Sequence, residues 1–148
     1  MVKHILLVDD NPNDLELALV ALQQEAGGPQ VTVAQGGPEA LAYLNSHREE
    51  QAGRPDLVLL DLKMPQMDGL EVLEAIRGDA GLRGIPVVML TTSRSEADIQ
   101  ACKRRGASGY VVKPLDFAAF TETLRATLAF WTGPGVTVPL GLLNFACR

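Results

Sequence analysis

The 148-residue chain is poor in the residues that mark several functional classes. Its 2 cysteines, Cys102 and Cys147, have no C-x-x-C spacing and no histidine neighbours, which argues against a zinc site or a disulfide framework. The 13 Lys and Arg residues are outnumbered by 18 Asp and Glu residues, so the basic excess that favours nucleic-acid binding is missing. No hydrophobic run approaches the roughly 20 residues of a membrane span, and the first residues lack a signal-peptide core. We therefore expect a cytoplasmic protein that binds neither nucleic acid nor membranes.

Short apolar segments without alternating polar residues recur along the chain. They are Ile5–Val8, Leu57–Leu60, Val87–Leu90 and Tyr110–Val112. Such segments are typical of strands that helices cover on both faces of a parallel sheet. The more polar segment Val31-Thr32-Val33 predicts a fifth strand, at an edge of the sheet.

Helical patterns lie between these strands. They predict five helices, around residues 12–22, 38–44, 70–76, 95–105 and 117–131. Asn11-Pro12 is typical of a helix start, Ser95 to Asp98 resembles a capping box, and Gly106 would end the fourth helix. The alternation of strands and helices predicts an open, doubly wound α/β sandwich with five parallel strands.

Polar residues follow each of the buried strands. Asp9-Asp10 follows the first apolar segment, Asp61 the third strand, Thr91 the fourth and Lys113 the fifth. The carboxyl ends of parallel strands face one crevice, where ligands usually bind. We therefore expect three carboxylates, a hydroxyl and an ammonium in one small site.

The charges of this predicted site indicate a metal ion. Two carboxylates about 5 Å apart repel by roughly 3 kcal/mol at an effective dielectric of about 20, and Lys113 offsets only one of three negative charges. Oxygen ligands favour Mg²⁺, and the lack of nearby Cys or His argues against zinc. With that metal, Asp61 is a plausible nucleophile in phosphoryl transfer, Lys113 would supply positive charge, and Thr91 would donate a hydrogen bond to a phosphoryl oxygen.

The combined motifs resemble a response-regulator receiver domain of two-component signalling, from about Lys3 to Trp131. The matching residues are Asp9-Asp10, Asp61-Leu62-Lys63-Met64-Pro65, Asp68-Gly69, Thr91 and Lys113-Pro114. Thr91 lies thirty positions after Asp61 and Lys113 fifty-two, offsets that the family shares. The resemblance implies a flavodoxin-like fold with strand order 2-1-3-4-5. It divides the chain into a receiver domain, residues 1–131, and an apolar C-terminal extension, residues 132–148.

The resemblance also implies a phosphoacceptor and a metal site. Asp61 would take the phosphoryl group from a histidine kinase. Asp10 and Asp61 would ligate Mg²⁺ together with the backbone carbonyl of Lys63, and Asp9 would act mostly through water. Lys63 and Ser93 occupy positions that influence phosphate lifetime in this family. The Lys63 side chain would either lean over the phosphoryl group or point into water.

A switch is implied as well. Lys113 would pair with the phosphoryl oxygens, and the Lys113-Pro114 peptide would be cis. Thr91 would move toward the phosphate while Tyr110 turns inward. That coupled shift would remodel the surface around the fourth helix and the fifth strand.

The C-terminal extension has a pattern of its own. Phe130-Trp131 followed by Val136–Pro139 resembles the tail of single-domain regulators that are paired with phytochrome photoreceptor kinases. Apolar residues alternate from Val136 to Leu142, which indicates an extended segment, and Pro139 permits only an edge strand. The extension could dock on a second copy, giving a homodimer with exchanged arms, or fold back over its own domain. A dimer could also use the surface of the fourth helix, fifth strand and fifth helix.

We expect a stand-alone response regulator rather than an enzyme, because residues 132–148 are too few for a DNA-reading module. One alternative is a Mg²⁺-dependent phosphatase with an aspartyl nucleophile. Such enzymes commonly place a second Asp two residues after the nucleophile, where this chain has Lys63. The other alternative is an interaction module that works without phosphate.

Overall fold

The predicted parallel strands form one sheet in a computed structural model that describes residues 3–23, 28–47, 53–132 and 142–144. The elements in chain order are β1 (His4–Val8), α1 (Pro12–Leu22), β2 (Gln30–Ala34), α2 (Gly37–Ser46), β3 (Leu57–Leu60), α3 (Gly69–Arg77), β4 (Val87–Thr91), α4 (Glu96–Arg104), β5 (Gly109–Val112), α5 (Phe117–Thr132) and β6 (Leu142–Asn144). The order across the sheet is β2-β1-β3-β4-β5-β6, and the first five strands are parallel. The doubly wound fold with order 2-1-3-4-5 is confirmed.

The sheet is central because its strands are apolar on both faces. Leu6 and Val8 of β1 belong to a buried cluster that includes side chains of α2, α3 and α4. Their neighbours Ile5 and Leu7 point the other way, into a cluster with side chains of α1 and α5. Burying each such side chain stabilises the fold by about 1.5–3 kcal/mol. Among the described residues, no helix is both long and apolar enough to cross a membrane.

The helix ends agree with the sequence patterns in two of three cases. The Asn11 side chain caps α1 by accepting backbone N–H bonds at 2.9 and 3.3 Å, and Gly106 follows α4 with φ +95°. The capping box predicted at Ser95 is only half formed. The Ser95 hydroxyl accepts from the Asp98 N–H at 3.4 Å, but the Asp98 carboxylate contacts other groups. The expected reciprocal bond was therefore wrong.

A sixth strand extends the sheet beyond the five that were predicted. Residues 142–144 pair antiparallel with β5, with Leu142 opposite Val111 and Asn144 opposite Gly109. This part of the C-terminal extension lies on its own domain, as one of the two alternatives had it. The alternating residues 136–140 lie outside the described ranges, and the exchanged arm stays a prediction.

Candidate functional site

Polar side chains lie at the carboxyl ends of four adjacent strands, as the sequence predicts. Asp61 follows β3, and its N–H donates to the Val8 carbonyl of β1 at 2.9 Å, beside Asp9. Thr91 ends β4, and the N–H of Lys113, after β5, donates to the Thr91 carbonyl at 2.7 Å. Because these strands are neighbours, all four side chains start at one edge of the sheet.

Asp9, Asp10 and Asp61 form an acidic cluster. One carboxylate oxygen of each lies within 4.8 Å of those of the other two. Asp9 and Asp61 are only 4% and 9% exposed, whereas Asp10 is exposed. Charges at this separation repel by roughly 3 kcal/mol per pair at an effective dielectric of about 20. The acidic cluster is therefore stable only with positive charge close by.

Lys113 supplies part of that charge. Its Nζ lies 2.8 Å from Asp9 Oδ2, 3.2 Å from Asp14 Oδ2 and 4.0 Å from Asp61 Oδ1. Burial alone would lower the pKa of Lys113, but the hydrogen bond to Asp9 and the charges of Asp61, Asp9 and Asp14 outweigh burial and raise it. Lys113 is therefore positively charged at neutral pH.

Two features around Lys113 differ from the sequence-based expectation. Asp14, in the first turn of α1, forms an ion pair with the Lys113 ammonium, although it was not predicted as a site residue. The available signal was the Asn11-Pro12 helix start, which places an acid one turn along α1, beside the carboxyl end of β1. The expected cis peptide at Lys113-Pro114 was wrong, since the described residues contain no cis bond. Trans is the intrinsically preferred isomer of such a bond.

Asp61 has an unusual protonation equilibrium. Burial raises the pKa of Asp61 to about 7. The Lys113 charge and a hydrogen bond from the Lys63 backbone N–H oppose this rise, and Asp9 adds to it. A cation that enters the acidic cluster would favour the ionised, nucleophilic carboxylate.

We expect Asp61→Asn to remove a pH dependence of stability in metal-free protein. The folded-state pKa of Asp61 is near 7, above the value of 3.8 for an unperturbed Asp, so protonation of this carboxyl stabilises the folded state. This contribution to the free energy of unfolding is fully present below pH 3.8 and is lost as pH rises through 7. Between pH 5 and pH 8 the wild type should lose roughly 2–3 kcal/mol through this one group. Urea unfolding in EDTA at both pH values measures the difference.

Asp116→Asn is the matched control, because the exposed Asp116 side chain accepts the Ala119 N–H, which an amide oxygen can also do. It should keep the full pH dependence of the wild type. An Asp61→Asn protein that loses as much stability as the wild type between pH 5 and pH 8 would contradict the assignment of the raised pKa to Asp61.

The acidic cluster fits a hard divalent cation. Its donor atoms are carboxylate oxygens, and neither His nor Cys belongs to this group in the described part of the chain. Asp9 already has partners, since Oδ1 accepts the Asn11 N–H at 3.0 Å and Oδ2 accepts from Lys113. These bonds favour Asp10 and Asp61 over Asp9 as direct ligands.

The loop from β3 to α3 is shaped by a glycine and a helix cap. A Cβ on Gly69 would meet the Asp61 carbonyl and lie 2.8 Å from Leu62 Cα, which is too close for any side chain. Asp68 and Glu71 form a complete capping box at the start of α3. Glycine thus lets α3 begin directly against the end of β3.

The two predicted switch residues share Ser93 as a partner. Buried Thr91 accepts the Ser93 N–H through Oγ1 at 3.2 Å. Fully buried Tyr110 donates its hydroxyl proton to the Ser93 carbonyl at 2.9 Å, and burial raises the pKa of its phenol. Tyr110 is therefore already turned inward in this structure, so the inward turn expected on phosphorylation has no outward starting position here.

The Lys63 side chain takes a third direction, toward α4. Its Nζ lies 3.4 Å from Asp98 Oδ2, and the same oxygen accepts from the Ser93 hydroxyl at 2.5 Å. Asp98 was not predicted as a site residue, because its position in the first turn of α4 matched a helix cap.

A family model described as the response regulator receiver domain matches residues 5–125. Among curated relatives, response regulator Rcp1 of Synechocystis sp. (strain PCC 6803) is 35% identical over 138 residues, which are 93% of this chain and 93% of the relative.

Three solved structures of response regulators are also similar, and two of them are a phytochrome and a bacteriophytochrome response regulator. The phosphorylated cyanobacterial phytochrome response regulator RcpA has 38% identity and a TM-score of 0.81, over 88% of this chain and 94% of that one. The Mn²⁺-bound form of Rcp1 has 34% identity and a TM-score of 0.77, over 93% and 99% of the two chains. The bacteriophytochrome response regulator AtBRR has 46% identity and a TM-score of 0.69, over 91% and 99%.

Proposed function

The chain belongs to the response regulator receiver domain family, and on that premise we propose that it accepts a phosphoryl group on Asp61 from a histidine kinase. The observation that carries this proposal is the position of Asp61, a buried carboxyl beside Asp9, Asp10 and the Lys113 ammonium. RcpA is a phytochrome response regulator and AtBRR a bacteriophytochrome response regulator, so a phytochrome photoreceptor kinase is the proposed donor.

Asp61 acts as the nucleophile in this proposal. A carboxylate oxygen attacks the phosphorus of the kinase phosphohistidine, the O–P bond forms as the N–P bond breaks, and the electron pair stays on the imidazole. Lys113 offsets the charge of the phosphoryl oxygens. The Thr91 hydroxyl accepts from Ser93 and so keeps its own proton to donate to a phosphoryl oxygen.

We assign Mg²⁺ to the acidic cluster, with Asp10, Asp61 and the backbone carbonyl of Lys63 as ligands and Asp9 acting mostly through water. When bound, Mg²⁺ supplies positive charge to the carboxylates and to the phosphoryl oxygens. The oxygen donor set and the Mn²⁺-bound form of the relative Rcp1 support this assignment.

Asp10→Asn is expected to weaken Mg²⁺ binding at least about tenfold, because it removes a charged ligand. Mg²⁺ raises the melting temperature of the wild type by binding only the folded state, so a Mg²⁺ titration followed by thermal unfolding measures the affinity. Glu16→Gln removes an equal charge from an exposed position on α1 and should leave the titration unchanged. Equal titrations for Asp10→Asn and wild type would refute the ligand assignment.

The proposed output is a protein interaction rather than catalysis or DNA binding. In this proposal phosphorylation draws Thr91 toward the phosphoryl group, and the surface of α4 and β5 changes with that movement. A partner protein would bind that changed surface. We place this interaction in the cytoplasm, because the kinase needs ATP.

We also propose a homodimer in which the C-terminal extensions are exchanged, with the surface of α4, β5 and α5 as a second possible interface. Residues 142–144 pair antiparallel with the edge of β5, and the same strand of a second copy could pair with that edge in the same way. Light scattering on the full chain and on a chain that ends at Trp131 tests this. If both proteins have the same number of chains per particle, the exchanged arm is refuted.

The central test is labelling with acetyl phosphate and Mg²⁺, followed by intact mass and by hydroxylamine, which cleaves acyl phosphates. One phosphoryl group per chain, released by hydroxylamine, is the expected result. Phosphorylated histidine kinases, phytochromes among them, should then transfer to the same site. Multiple turnover of small phosphate esters would favour the phosphatase alternative, and no label at all would favour the phosphate-independent module.

A further inference from the structure

The Asp98 carboxylate does not form the capping hydrogen bond that its position in α4 predicts, and it contacts Ser93 and Lys63 instead. Asp98 is the third residue after Ser95, where a capping box would return a hydrogen bond to the Ser95 N–H. Instead, the Ser95 N–H donates to the Ser93 hydroxyl at 3.2 Å. Asp98 Oδ2 accepts from that hydroxyl at 2.5 Å and lies 3.4 Å from Lys63 Nζ.

This arrangement holds Lys63 on the α4 side of the site. Lys63 lies two residues after Asp61, so its side chain starts close to the phosphoacceptor. Its flexible four-carbon stem is long enough to fold back over that group. The acidic cluster also attracts an ammonium, yet the Lys63 ammonium lies at Asp98, with 67% of the side chain exposed.

We propose that Asp98 is a positioning residue that shortens the lifetime of the phosphoryl group on Asp61 by keeping Lys63 away from it. This inference rests on the proposed function. Hydrolysis needs a water oxygen to form a bond to phosphorus while the Asp61 O–P bond breaks, and both water protons leave with inorganic phosphate. With Lys63 held at Asp98, the path of the water molecule to the phosphorus atom stays open. Without the Asp98 charge, the Lys63 ammonium pairs with the phosphoryl oxygens and its stem covers that path.

The test measures the decay of the acetyl phosphate label in the full chain after the donor is removed. Asp98→Asn keeps an oxygen that can accept from Ser93 but loses the ion pair, and it should lengthen the lifetime about two- to fivefold, the factor expected for a partly exposed ion pair. In a Lys63→Met background the same Asp98 change should have no effect on the lifetime. Glu96→Gln removes an equal charge from the same turn of α4, so its lifetime should match the wild type.

Several results would overturn the inference. An unchanged or shorter lifetime in Asp98→Asn contradicts it, and so does an equal lengthening with and without the Lys63 ammonium, which indicates a purely structural role for Asp98. A wild type that takes up no label refutes the proposed function itself, and this inference falls with it. A labelled wild type with no coupling between Asp98 and Lys63 refutes the inference alone.

Discussion

Asp61→Asn is expected to abolish phosphoryl uptake, with labelling by acetyl phosphate at least about 100-fold below the wild type. The amide has nearly the same shape as the carboxylate but no negative charge, so it is a very poor nucleophile. The reason for so large an effect is that the neighbouring acids are poor substitutes. Asp9 is bound to Lys113 and to the Asn11 N–H, and Asp10 lies exposed at the margin of the acidic cluster.

Asp56→Asn is the control for this experiment. Asp56 precedes β3 at the amino ends of the strands, opposite to the site. Its carboxylate accepts the N–H groups of Lys3 and His4 at 2.9 and 3.0 Å, which an amide oxygen can also do. Its labelling should equal that of the wild type. Retained labelling in folded Asp61→Asn protein, located on another residue by peptide mass, would refute Asp61 as the acceptor.

Lys113→Met is expected to destabilise the metal-free protein by roughly 3–5 kcal/mol at pH 8, the usual cost of removing one partner from a buried ion pair. The Lys113 and Asp9 side chains are only 10% and 6% exposed, so water compensates little for the lost ammonium. The loss should be smaller at pH 5, where protonation of Asp61 relieves part of the repulsion. Saturating Mg²⁺ should also restore part of the stability, because it neutralises the same carboxylates.

Urea unfolding with and without Mg²⁺ measures these effects. If the m-value is unchanged, a shift of the urea midpoint reports a change in the free energy of unfolding. Lys103→Met, at an exposed position in the last turn of α4, is the matched control and should change stability by no more than about 0.5 kcal/mol. A loss below about 1 kcal/mol in Lys113→Met would mean that Lys113 does not neutralise the acidic cluster.

Most of the fold could be predicted because its signals are local. Apolar strands such as Leu57–Leu60 are buried on both faces, and this composition indicates a parallel sheet before any contact is known. Helix starts at Asn11 and ends at Gly106 depend on neighbouring residues only. The alternation that indicates an extended segment ends at Leu142, so the sequence did not show that residues 142–144 pair with the edge of β5.

The site divides in the same way. Asp9, Asp61 and Lys113 each follow a strand and Thr91 ends one, so the topology alone brings them to one edge of the sheet. Asp14 and Asp98 were missed because both lie in first helical turns, where acids are common for reasons of capping and helix dipole. Which of those acids reaches a lysine depends on how the helix packs.

The sequence by itself determined the strand order of the parallel sheet, through its resemblance to receivers, and the gathering of three acids and a lysine. Strand composition and strand-end residues carry that information along the chain. Only the tertiary structure decided that Lys113 bonds Asp9 and Asp14, that Lys63 turns to Asp98, and that burial moves the pKa of Asp61 to about 7. These are properties of distance and solvent exclusion between residues far apart in sequence, and no local pattern encodes them.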